Sequence, residues 1–155
     1  MSRAWRRFRQ RRVDESGTAL VEFIWLGLLL LVPLVYVMWS VFDAQRGAFG
    51  ASAASRAAGR AFVLSPDQET GYDRAEQAAR VALEDQGIDV DVADVRITCA
   101  PEPDDCLTAG SVITVEVVVQ QPLPLVPSAL GGSAPSVRLS STHVEPYGTY
   151  REDRP

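Results

Sequence analysis

The sequence contains no lysine; all fifteen basic residues among its 155 are arginine. That reads as codon usage in a GC-rich genome rather than chemistry. Histidine occurs once, at His143. One imidazole and two cysteines do not complete a tetrahedral metal shell, so no metal or other cofactor is expected. A Gly-rich phosphate loop and a G-x-S-x-G nucleophile turn are both missing. His143 and Glu145, near a strand end, read as a surface pair. The chain is therefore expected to be no enzyme and to take no small-molecule substrate.

Charge is also missing from Phe23 to Phe42. Twenty residues at about 1.5 Å each cover roughly the 30 Å hydrocarbon core of a bilayer. A buried helix of a soluble domain is rarely apolar on every face over such a length. Trp25 near one end, and Tyr36 and Trp39 near the other, suit the membrane interfaces. Six arginines precede the span: Arg3, Arg6, Arg7, Arg9, Arg11 and Arg12. With Asp14, Glu15 and Glu22 they bring residues 1–22 to +3, whereas nine arginines and seventeen acids bring residues 43–155 to -8. The positive-inside rule predicts a single-pass protein of the cell membrane, with its N-terminus cytoplasmic and its C-terminal domain extracytoplasmic. The acidic outer portion argues against nucleic acid, whose phosphates need a basic face.

Outside the cytoplasm a disulfide persists, and both cysteines, Cys99 and Cys106, follow the span. They flank a turn-like segment, Ala100-Pro101-Glu102-Pro103-Asp104-Asp105, and are expected to bond.

The elements are read as follows. Residues 1–16 are polar and expected to be disordered or to lie on the membrane surface. A helix from about 18 to 62 carries the span and an Ala-rich continuation. Gly47, Ala51, Ser55 and Gly59 recur every four residues on one side of it, a spacing that lets helices approach closely. Ser65-Pro66 reads as N-cap and first position of a second helix ending near Gln86, with Gly87 as its C-terminal cap. Tyr72, Ala75, Ala79, Ala82 and Leu83 give that helix an apolar stripe. Val95, Ile97 and Cys99 alternate with polar residues, as do Ile113, Val115 and Val117, and more weakly the run 137–144. Prolines 122, 124 and 127 exclude a central strand there; that apolar loop suits either a membrane or neighbour contact, or folding back over the sheet edge. Residues 146–155 read as a flexible tail. The fold class is α+β: a long transmembrane helix, a short second helix and a small antiparallel sheet of about three strands. The domain layout is a leader at 1–17, the long helix at 18–62, an outer domain at 63–145 and the tail.

The segment Ser16-Gly17-Thr18-Ala19-Leu20-Val21-Glu22-Phe23 carries most of the function. A carboxylate at a membrane boundary costs free energy, a few kcal/mol or so if drawn toward the centre; Glu22 is therefore expected to have a cationic partner. Here the chain resembles the TadE-like pseudopilins (minor pilins) of tight-adherence pili, within the type IV pilus superfamily. Gly17, Glu22 and Val21-Glu22-Phe23 match the motif of that family, and the order of basic leader, apolar helix with an early proline (Pro33), Ala-rich extension and strand-rich domain matches its layout. Thr18 departs from the apolar residue that major pilins prefer, and the long outer domain departs from their short chains. The resemblance implies cleavage by a prepilin peptidase between Gly17 and Thr18. It implies assembly through Glu22 and Phe23 with other pilins or pseudopilins in a surface filament, where the stripe at Gly47, Ala51, Ser55 and Gly59 would pack helix on helix. Two rival readings stay open: an uncleaved single-pass scaffold of a secretion machine, and a secreted protein released at the A-x-A sequence ending at Ala53.

Overall fold

In a computed structural model the described residues are 4–89, 91, 93–122 and 136–153. Of the proline-rich segment 122–127, Pro122 is the last residue of the central strand, a correction to the expectation, and the loop from Leu123 onward lies outside the described residues. The chain divides into two compact units, Met1–Trp39 and Ser40–Pro155. The architecture is α+β: α1 (Ala4–Val63), α2 (Gln68–Glu84), and strands β1 (Ala93–Ala100), β2 (Val112–Pro122) and β3 (Ser136–Pro146) in one antiparallel sheet of order β1-β2-β3.

Helix α1 begins at Ala4, so of the two expectations for the leader only the disordered one is corrected. Arginine, the commonest residue of that stretch, is a good helix former. Pro33 lies inside the helix. It removes one backbone donor, a loss that membrane-spanning helices tolerate. In the first unit, apart from half-buried Tyr36, every large apolar side chain from Leu20 to Trp39 is at least 45% exposed. A surface apolar all the way round has no counterpart on ordinary water-soluble proteins. The helix is long and apolar enough to cross a membrane.

In the second unit the helices cover one face of the sheet. Inward residues Ile113, Val115, Val117 and Val119 of β2 are fully buried, against Ala51, Ala54, Ala58 and Phe62 of α1 and Ala75, Ala79 and Leu83 of α2, in a single core. The other face carries Asp94, Arg96, Glu116, Ser140 and Thr142, the alternation of a sheet wetted on one side. Val118 departs from it, being buried on that outer face.

The end of α1 shows where its orphan carbonyls go. Ser65 Oγ donates to Ala61 O (2.8 Å), Ser65 N to Phe62 O (3.0 Å), and Arg151 Nη1 to Val63 O (2.9 Å). Ser65 therefore closes α1 and does not open α2. The N-cap of α2 is Asp67, whose Oδ1 accepts from Thr70 N at 2.8 Å and whose Oδ2 accepts from Thr70 Oγ1 at 2.9 Å. These two bonds hold the carboxyl of Asp67 below its ordinary range, the backbone bond contributing most and the guanidinium of Arg74 adding to it. Gly87 closes α2 at φ +66°, with its own N–H on Glu84 O and the N–H of Ile88 on Leu83 O, the paired bonds of a Schellman cap.

Residues 146–153 are no loose tail. Tyr147 is 1% exposed. Its N–H reaches Ser111 O, its hydroxyl donates to Glu152 O at 2.7 Å, and Arg151 lies over its ring at 5.1 Å. Asp153 Oδ1 accepts from Ala109 N at 2.7 Å. A polar composition concealed a strap that ties the β1–β2 connection to the end of α1.

Candidate functional site

Gly17, Thr18, Glu22 and Phe23 all lie in α1. Helix geometry puts Glu22 one turn beyond Thr18, on the same side. Thr18, Glu22 and Phe23 are exposed, Phe23 at 73%. Val21 and Phe23, exposed on either side of Glu22 in the sequence, make this stretch of helix surface apolar, where an unpaired charge is costly in lipid. Among the described residues no ion pair involves Glu22.

The structure gives the small-residue stripe a covering different from the one expected. Gly47, Ala51, Ser55 and Gly59 are buried in their own chain, under the sheet rather than against another helix. A Cβ at Gly47 would lie 2.5 Å from Leu139 Cδ1, and one at Gly59 would lie 3.3 Å from His143 Cδ2. Ser55 Oγ lies 3.3 Å from Ser141 Oγ. The four-residue spacing is a signature of close approach, and a flat sheet satisfies it as well as a helix. It has no bearing on which of the two does so.

His143 and Glu145 are likewise not a surface pair. Nε2 and Oε2 are 2.9 Å apart, with both side chains more than two-thirds buried beside Gly59. Their positions face inward on β3, which is why the third run looks weak as an alternating strand: polar Ser141, His143 and Glu145 stand where apolar residues would. Among the described residues no three His, Cys, Asp or Glu side chains gather as a metal site.

Cys99 and Cys106 are bonded, with Cα atoms 5.3 Å apart. Cys106 is fully buried, and its N–H donates to Gln68 Oε1 at 2.9 Å. The bridge therefore joins the end of β1 to the first turn of α2. Tyr147, Arg151, Asp67 and Leu139, all important to these contacts, escaped the sequence reading. Tyr147 carried a signal, as an aromatic residue between Pro146 and Gly148, and so did Asp67, a preferred N-cap residue just before the run of α2. No protein-family model, curated protein or solved structure matches the chain.

Proposed function

We propose that the chain is a TadE-like minor pseudopilin, cut by a prepilin peptidase after Gly17, held in the membrane by α1 and then taken into, or placed on, a tight-adherence type filament. One observation carries the reading: Glu22 stands five residues after Gly17, exposed at the start of an apolar helix that follows a basic leader. The basic leader supports a cytoplasmic N-terminus. Cleavage would give Thr18 a free α-amino group with a pKa of about 8, a cation one helical turn from Glu22. In a filament that cation would meet Glu22 of its own chain or of a neighbour. Where water is scarce such a pair is strong and fixes the axial register of adjacent helices.

The uncleaved scaffold reading draws its support from the covered stripe. With Gly47, Ala51, Ser55 and Gly59 buried under the sheet, they offer no seam to another helix.

N-terminal sequencing separates the two, since a start at Thr18 supports the pseudopilin and an intact leader supports the scaffold. Gly17→Arg should abolish the mass loss of the leader. Glu22→Ala and Glu22→Gln should both insert into the membrane yet fail to co-purify with sheared pili. Normal incorporation of both would reduce Glu22 to a flanking residue of an ordinary anchor.

A further inference from the structure

The two edges of the sheet are unequal. β3 turns half-buried His143 and Glu145 inward near its end, a device that discourages strand addition. β1 has no such guard. Its inward residues Ala93, Val95 and Ile97 pack against the core but are only half-buried, because a groove of about 350 Å³ opens between β1 and α2. Among the described residues no backbone hydrogen bond joins β1 to anything but β2.

The charges around these edges are complementary. On the outer face Arg96 binds Asp94 through Oδ2 alone (3.0 and 2.9 Å), and Oδ1 of Asp94 has no partner among the described residues. Arg138, on the same face of β3, has no polar partner among the described residues. On the helix layer Glu76, exposed and 3.5 Å from Arg80 of its own helix, lines the groove together with Ile97. Arg56, which among the described residues bonds to Ser52 and to no acid, follows Ser55, the residue that meets Ser141.

We propose that β1 of one copy receives β3 of a second copy in parallel, Ala93–Thr98 lying along Val137–Thr142. This deepens the filament reading and rests on it. A second copy with its helices on the same face of the sheet and its β3 beside β1 runs parallel to the first, because β1 and β3 are parallel within one sheet. In this register Asp94 faces Arg138, Ala93 and Val95 face Val137 and Leu139, and Ile97 faces Ser141. Glu76 of the groove then comes level with Arg56 of the neighbour. Shifting by two residues one way sets Arg96 against Arg138, a like-charge pair that opposes it. Shifting the other way leaves Asp94 against Ser140. The pairing ends before His143 and Glu145, so neither is buried by it. Within one sheet Ala93 is level with Leu139 through Val119. Pairing it with Val137 of the next copy offsets successive copies by two residues, about 7 Å along the strands. The contact joins unlike surfaces and does not close on itself, so it propagates as a helical row.

The test uses the full chain in membranes. Thr98→Cys/Thr142→Cys in one chain should give a ladder of disulfide-linked multimers under mild oxidation, with Cys99–Cys106 intact by peptide mapping. Each single cysteine variant should give none. Asp94→Arg or Arg138→Asp should cut the ladder about fivefold, and the two together should restore it. A Gly17→Arg background should leave the ladder in place, which separates this contact from leader processing. Dimers from either single cysteine variant, or a ladder indifferent to both charge reversals, would overturn the proposal.

Discussion

Asp67 and Gly59 show what single residues do here. With its carboxyl held below the ordinary range by Thr70, Asp67 contributes stability that is complete above about pH 4, its unfolded-state value, and fades as pH falls through its lower folded-state value. Asp67→Ala should lower the melting temperature at pH 7. Asp67→Asn should keep much of the cap, since Asn also caps well, and should flatten the acid-side loss; melts between pH 2 and 7 check both. Gly59 reports which surface covers the stripe. Gly59→Ala should be near neutral, because about 1 kcal/mol of helix propensity offsets a tight contact with His143. Gly59→Leu should destabilise the fold by about 1–3 kcal/mol by overpacking against Val115 and His143. Unchanged melting of Gly59→Leu would mean that the stripe faces open space.

Among the elements, the connection between β1 and β2 depends on a covalent clamp. The disulfide closes a short loop, so its loss in Cys99→Ser/Cys106→Ser should cost about 2–3 kcal/mol. The effect should be concentrated around the Gln68 contact, where hydrogen exchange at Cys106 and its neighbours would rise first. This connection was legible in the sequence, as were β1 and β2, whose apolar alternation follows directly from one dry and one wet face. Gly87 was legible for the same kind of reason, a backbone that must turn left-handed after a helix. The start of α2 was not. Ser65-Pro66 satisfies the usual signature of a helix start, but two residues more are needed to turn the chain, and Asp67 takes the cap. β3 was only half legible because its inward side chains contact the small residues of α1, where little apolar volume is required. The strap at 147–153 was hidden by composition, since one buried tyrosine does not stand out among charges. In the candidate site, the Gly17-to-Glu22 spacing was visible, while the covering of the stripe depends on long-range topology and was not.

At the level of the whole molecule, the strongest physical fact is the exposed apolar helix. Leu29→Arg/Val32→Arg should abolish stable insertion, since each central Arg opposes it by about 2.5–3.5 kcal/mol on insertion scales. Carbonate extraction checks this: the unaltered chain should remain in the membrane pellet and the variant should not. A wild-type chain released by carbonate would remove the span. The strap has a consequence of another kind, in the timing of folding. Arg151 closes the last carbonyl of α1, and Tyr147 fills the core beside the connection before β2. At ~5–20 residues per second, the stretch from Val63 to Tyr147 takes roughly ten seconds to synthesise. During that interval the alanine-rich half of α1 lacks the sheet that covers it. A chain built this way stays unfinished, and hence extensible as a thread, until residues 147–151 have been made.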